Sequence, residues 1–461
     1  MKRTLIVTAL LAAFGHAPVS FATNWFELQN TEAPEAPDYR FWGFIQPQFV
    51  HNTGGPANGI TGAAQARAYN GKTPVFNLVG PDLTSGDQAQ IFRARPGLRG
   101  KMPGTEGNID YFLLAELGNN ALTVNGSDSK RYAVLTDATV TFNYIPGARV
   151  RVGLGRLPIG EEAMLGEPTL DYLAFTSVTD GLLNERFVTP YKASPLAPAT
   201  GIAMNGGAGG AAIAGSVGAF RDIGVEVFDW FNHEKWEYAY GLMLSQADGV
   251  NFNTANNPGN HDVSGRLQAS YVFGGSGPRR KDITAFIWHQ DGNRYFNGAN
   301  YDRMREGLGF KYVNDKFRVG SEYIKGSGMI YMGLNPAFNP VPGGFVPVQL
   351  MAVESYNKAN GYYLDTGWKL TEKFEAELRF DTYDRMSNSA PDERRTNTWT
   401  LGGQYFYSNA FRFMVNYSRR SASVVNPGTA VGTPASTALL NAMNVLDATG
   451  NLWGVQMTYR Y

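Results

Sequence analysis

The segment Leu452–Tyr461 alternates strictly. Trp453, Val455, Met457, Tyr459 and Tyr461 are apolar or aromatic, while Gly454, Gln456, Thr458 and Arg460 are small or polar. A period of two puts the two sets on opposite faces of a β-strand. The pattern recurs. Phe92, Ala94, Pro96 and Leu98 alternate with Arg93, Arg95, Gly97 and Arg99. Val150, Val152 and Leu154 alternate with Arg149, Arg151 and Gly153, and Phe411, Phe413, Val415 and Tyr417 with Arg412, Met414, Asn416 and Ser418. Soluble sandwiches alternate too, but three features favour a membrane barrel. Segments of about 10 residues suit a tilted strand crossing a bilayer. The polar face carries full charges, which a dry core does not accept unpaired. The apolar face ends in Tyr and Trp, as an interfacial girdle does.

Strands are expected near 39–50, 88–101, 108–118, 132–144, 148–157, 217–228, 235–246, 262–273, 281–290, 303–313, 316–326, 360–370, 373–385, 395–407, 410–421 and 451–461. That is an all-β fold, a transmembrane antiparallel β-barrel of about sixteen strands. Connection lengths check the segmentation, because bacterial barrels pair short periplasmic turns with long outer loops. Short turns fall at Pro146-Gly147, Asn314-Asp315, Thr371-Glu372 and Ser408-Asn409, with slightly longer ones at 102–107, 229–234 and 274–280. Between them lie long loops at 51–87, 158–216, 247–261, 291–302, 327–359, 386–394 and 422–450. Both termini then face the periplasm. Pro47 and Pro96 each remove a ladder donor, so either local bulges or a shifted strand boundary is expected there.

Residues 1–22 read as a secretory signal peptide: Lys2 and Arg3 lead, Leu5 to Phe14 is a short apolar core, and Ser20-Phe21-Ala22 precedes the expected cleavage. Residues 23–38 would form a periplasmic N-terminal segment and 39–461 the barrel. The chain contains no Cys, which excludes disulfides, Cys-ligated zinc, iron–sulfur clusters and c-type haem attachment. Forty basic residues balance forty acidic ones, which argues against a nucleic-acid partner. An exported, cysteine-free, aromatic-rich chain points to the outer membrane of a Gram-negative bacterium, with membrane lipid around it. No cofactor or metal is expected.

The polar face of each strand is assigned to the lumen. The pore-lining basic residues are then Arg40, Arg93, Arg95, Arg99, Arg149, Arg151, Arg266, Arg305, Lys311, Arg318, Arg412 and Arg460. Strand sixteen closing on strand one would gather Arg412, Arg460, Arg40 and the Arg93/Arg95/Arg99 row into one basic wall, extended by Arg149 and Arg151. Like charges on one face repel unless anions or carboxylates compensate. Arginine stripes are also how anion-favouring pores are built. The third outer loop, 158–216, is the longest, and long loops in compact folds are usually functional. It carries Glu161, Glu162, Glu167, Asp171, Asp180 and Glu185. Folded inward, it would narrow the lumen and set an acidic edge against the basic wall.

Residues 90–162 and 221–273 resemble the porin O/P family of outer-membrane porins, the phosphate-selective porins. The matching motifs are Phe92-Arg93-x-Arg95-x-Gly97-x-x-Gly100 and Thr136-Asp137-Ala138-x-Val140, followed by Val150-x-Val152-Gly153-x-x-Arg156-x-Pro158-x-Gly160-x-Glu162. Further on come Arg221-Asp222-Ile223-Gly224-Val225 and Asp262-x-x-Gly265-Arg266-Leu267. The resemblance implies a sixteen-stranded homotrimeric barrel with an inward third loop, passing small anionic or hydrophilic solutes passively. The C-terminal strand is similar to the signal read by the outer-membrane assembly machinery, ending in Tyr461 where Phe is usual. The third loop is acidic, so the expectation is a general porin with mild anion preference rather than tight phosphate selection.

Two other functions compete. A barrel enzyme needs a nucleophile or acid/base group held by partners. The five histidines, His16, His51, His233, His261 and His289, form no such constellation, and neither G-x-S-x-G nor H-E-x-x-H occurs. A sheath for partner cytochromes would have to thread a protein through a narrow barrel.

Overall fold

The computed structural model describes residues 24–29, 31–33, 35–56, 58–59, 87–120, 122–123, 132–184, 220–247, 261–275, 277–296, 299–331, 351–429 and 435–461. Sixteen antiparallel strands form one closed barrel. They are β1 (Arg40–Asn52), β2 (Asp87–Lys101), β3 (Ile109–Glu116), β4 (Val134–Phe142), β5 (Arg149–Arg156), β6 (Arg221–His233), β7 (Trp236–Ser245) and β8 (Asp262–Gly274). Then come β9 (Lys281–Phe296), β10 (Ala299–Val313), β11 (Phe317–Ser327), β12 (Lys358–Lys369), β13 (Phe374–Arg385), β14 (Arg394–Phe406), β15 (Phe411–Val424) and β16 (Leu452–Arg460). Each pairs with its sequence neighbours, and β16 closes on β1 from Phe44 opposite Arg460 to Asn52 opposite Leu452. The expected signal peptide lies outside the described residues.

Alternation decides which side chains face inward. On β15 the even residues Arg412 to Arg420 are buried, and the odd residues Phe413 to Arg419 are exposed on the outer wall. The Pro47 bulge is present: the β1–β2 register shifts between Gln46 and Pro47, passing from Gln46 opposite Arg93 to Pro47 opposite Ile91. Phe92 is the residue skipped. It therefore leaves the lipid-facing set that simple alternation assigns to it and turns inward, buried with Val50, Leu173, Met414 and Leu452. Pro96 pairs regularly with Gly43, so no bulge forms there in the β1–β2 ladder.

One expected long loop is absent. The β9–β10 ladder continues to Phe296 opposite Ala299, so 291–302 is almost entirely paired strand. Its alternating residues simply extend the hairpin. Short strands Ile330–Tyr331 and Met351–Ala352 pair within the loop after β11, and the loop after β15 carries a helix, Ala435–Asp447.

Candidate constriction of the lumen

After β5 the chain turns into the barrel. A helical turn, Glu161–Met164, is followed by a 3-10 turn at Glu167–Thr169 and a π turn at Thr179–Leu183. Such short helical pieces are not stable alone and need tertiary packing. Here Ile159, Val178, Leu182 and Leu183 pack against inward Phe286, Trp288 and Ile324 in one buried cluster. Glycine on the inner wall makes room for the loop. A Cβ at Gly361 would lie 2.7 Å from Val178 Cβ, and one at Gly454 2.8 Å from Leu173 Cδ2.

The loop's acidic side chains are fixed by the wall. Glu167 accepts from Arg95 at 2.7 Å, from Arg221 at 3.2 Å and from Arg156. Arg95 also reaches Glu116 at 2.7 Å, and Arg221 reaches Asp137 at 3.0 Å. Asp171 meets Arg279 at 2.5 Å and Arg318 at 3.2 Å, with Arg412 at 3.9 Å. Arg412 donates chiefly to Gln404 and to the loop carbonyls of Pro168 and Leu170. Glu161 is held by Arg266 at 2.6 Å, Lys311 at 3.2 Å and the Trp25 indole at 2.9 Å. Glu162 accepts from the Thr176 hydroxyl at 2.6 Å, Asp180 accepts from Asn184 at 3.1 Å, and Glu185 lies outside the described residues. Asp171, Glu375 and Glu377 bring carboxylate oxygens within 4.8 Å of one another, but Arg279 and Arg318 lie among them as counter-ions.

The other basic residues are similarly engaged. Arg93 donates to Gln46 at 2.8 Å, and Arg151 pairs with Glu226 at 2.7 Å. Arg149 pairs with Asp229. Arg305 donates to the backbone carbonyls of Leu182, Gly328 and Met329, pinning two loops. Arg40 and Arg99 share Glu32, while Arg460, exposed at the periplasmic rim, donates to the Asn409 carbonyl.

Residues 24–29 and 31–33 lie in the lumen beneath the loop. Trp25 and Phe26 are buried in a short helix, Trp25–Leu28, and Phe26 stacks on inward Phe228. Arg151 donates to the Gln29 carbonyl at 2.7 Å, and the Gln29 side chain donates to the Met164 carbonyl. Between loop and wall remains a cavity of about 90 Å³, lined by Trp25, Asp171, Tyr172, Arg279, Lys311 and Arg318 among others.

These surroundings set the acidity of the loop. Burial opposes ionisation of Glu161, but Lys311 and Arg266 outweigh it and lower its pKa to about 2. Burial likewise opposes ionisation of Asp171, but Arg279, Arg318 and Arg412 hold it at about 2. At Glu167, burial is overcome by Arg156, Arg95 and Arg221, leaving the carboxyl well below its usual range. Burial prevails at Glu162 and raises it. A depressed carboxyl stabilises the fold above its unfolded pKa, and that stabilisation is lost as pH falls through the folded value. On acidification Glu162 takes up its proton first, so single-channel conductance is expected to show at most a small early step while Glu161 and Asp171 stay ionised. It should become noisy and larger only as pH approaches about 2, where Glu161 and Asp171 take up protons.

Arg156, Arg221, Arg279 and Glu32 were not among the candidate residues, yet they hold the constriction. Arg156 and Arg221 do stand in the motifs quoted above, and together with Arg95 of the first motif they meet at Glu167. Arg279 lies in a periplasmic turn, where alternation says nothing of direction.

The chain is thus a closed sixteen-stranded barrel with a loop laid across its lumen. Residues 289–443, about a third of the chain, match the family described as "Phosphate-selective porin O and P", and the chain is similar to that family over this stretch. None of the curated proteins matches the chain. Among solved structures, an anion-selective porin from Comamonas acidovorans is 13% identical, with a TM-score of 0.51 over 93% of this chain and 100% of that one. Pseudomonas putida OprB is 8% identical, with a TM-score of 0.48 over 97% of this chain and 100% of that one. Salmonella typhi OmpF, in complex with daunomycin, is 12% identical, with a TM-score of 0.49 over 92% of this chain and 97% of that one. At 13% identity the likeness to the Comamonas acidovorans porin concerns the fold alone.

Proposed function

We propose that the channel passes small hydrophilic solutes with a mild preference for anions such as phosphate, and that it works as a homotrimer. The observation that carries the preference is the gathering of guanidinium groups at the loop: three at Glu167, three around Asp171, and two sharing Glu32 below. Acidic strand residues such as Glu116, Asp137 and Glu375 cancel much of that surplus. The remaining field is weak, which favours general passage with a bias over tight binding. Family and fold point to a channel and not an enzyme. The fold match to an anion-selective porin and the family match agree with this reading. The trimer draws support from the outer wall of β2–β5, where Ala89, Ile91, Leu113 and Val152 offer a smoother apolar surface than the aromatic-rich wall of β12–β15. The C-terminal strand, closing the barrel and ending in Tyr461, suits engagement by the outer-membrane assembly machinery.

Reversal potentials in a potassium chloride gradient test the preference. Replacing Arg93, Arg95 and Arg99 together by Gln leaves Glu116, Glu167 and Glu32 with fewer counter-charges, and the potential is expected to move toward cations. The shift should be larger at low salt, because the Debye length is about 10 Å at 0.1 M and grows on dilution. An unchanged permeability ratio at low salt would remove these arginines from the solute path.

A further inference from the structure

On the outer wall of β12–β15 the apolar band ends at one level. Tyr362, Phe380, Trp399 and Tyr417 face outward there; the Tyr362 and Phe380 rings are 5.9 Å apart, and those of Phe380 and Trp399 are 4.8 Å apart. Nearer the outer ends of the same strands the outward residues become polar: Asn360, Thr382, Asn397, then Arg419 and Ser421. Such a row of aromatics marks the boundary between hydrocarbon and headgroup. Arg419 stands eight residues along β15 from Phe411 at the periplasmic end, about 20 Å across an apolar band of about 25 Å. It is therefore on the outer-leaflet side.

Arg419 is exposed and directly opposite Trp399. Among the described residues, no hydrogen bond or ion pair engages it. The neighbouring Arg395 is already paired with Asp384 at 2.5 Å, and the side chain of Asn426 donates to Glu393 at 2.5 Å. A groove of about 400 Å³ runs over this wall, lined by Phe380, Asn397, Trp399, Arg419 and Ser421. An unpaired guanidinium at the edge of hydrocarbon is costly, and it is relieved by an anion at headgroup depth. Its planar fork suits a phosphate.

We propose that this groove binds a phosphorylated glycolipid of the outer leaflet. Arg419 takes a phosphate attached to sugar, Asn397 and Ser421 take sugar hydroxyls, and an acyl chain lies over Phe380 and Trp399. A sugar fits better than a simple glycerol headgroup because neutral donors and acceptors flank the guanidinium on both β14 and β15.

The full-length protein, purified in detergent, is mixed separately with bisphosphorylated lipid A, dephosphorylated lipid A and phosphatidylglycerol, and retained lipid is read by native mass spectrometry. Parent protein is expected to retain the phosphorylated glycolipid selectively. Arg419→Gln should weaken retention about tenfold, the loss expected of one charge-assisted pair. Arg419→Lys should lose part of it, and Trp399→Ser should weaken it through the acyl chain. Equal retention by Arg419→Gln overturns the proposal, as does equal retention of the dephosphorylated form or of phosphatidylglycerol. A change in oligomer mass on substituting Arg419 would assign the groove to a second copy of the chain and also overturn it.

Discussion

Glu167→Gln is expected to release the constriction. The carboxylate is buried and joined to Arg95, Arg156 and Arg221, which stand on β2, at the end of β5 and at the start of β6. Removing one partner of a buried ionic cluster leaves the others desolvated and uncompensated, at a cost of about 3–5 kcal/mol. Most of that penalty falls on the loop, because Arg95 and Arg221 keep Glu116 and Asp137 on the wall. The barrel should therefore still assemble, while the stretch from Glu161 to Asn184 loosens. Planar-bilayer recordings should show larger, noisier single-channel conductance, and the thermal midpoint in detergent should fall. Unchanged conductance would mean that Glu167 does not hold the loop in the current path.

Deleting residues 24–33 is the second large change. Trp25 and Phe26 are buried beneath the loop, and fully burying one such side chain is worth about 1.5–3 kcal/mol. The deletion also removes the indole bond to Glu161 and exposes Arg40 and Arg99, which lose Glu32. Because β1 begins at Arg40, the sheet itself stays complete. A wider periplasmic vestibule should raise conductance, and the two freed guanidinium groups should move the reversal potential toward anions. The deletion thus differs from Glu167→Gln in its effect on selectivity. A conductance equal to the parent's would place the segment away from the conducting path.

The strands were legible because a wall between lipid and a charged interior repeats one rule every two residues. That rule extends even to β15, with Arg412 inward and Phe413 outward. It fails where the ladder slips. Pro47 signals the bulge, but nothing in the local pattern says that Phe92 is the residue turned inward by it. The arginines were visible as a row, whereas their partners were not, because ion pairing joins residues far apart in sequence. Glu167 meets Arg221 across 54 positions, and Glu161 meets Arg266 across 105. A basic wall read from the strands one at a time therefore overstates the field that a solute meets. The segment 24–33 lacks both alternation and a long helical period, so the place of its described residues in the lumen follows from tertiary contacts such as those with Phe228, Glu161 and Arg99.

The third loop also grips both lips of the barrel's seam. The Glu167 carbonyl accepts from Gln46 on β1, Leu173 packs against Leu452 on β16, and the Leu173 amide donates to Asn416 on β15. The last strand to be synthesised thus closes onto the first across a surface already shared with the middle of the chain. Loop and seam therefore stabilise each other, the loop lying as an internal mandrel across the join between β1 and β16. Weakening Leu173 or Gln46 should accordingly be felt in the rate of membrane assembly, even where the finished wall is unaltered.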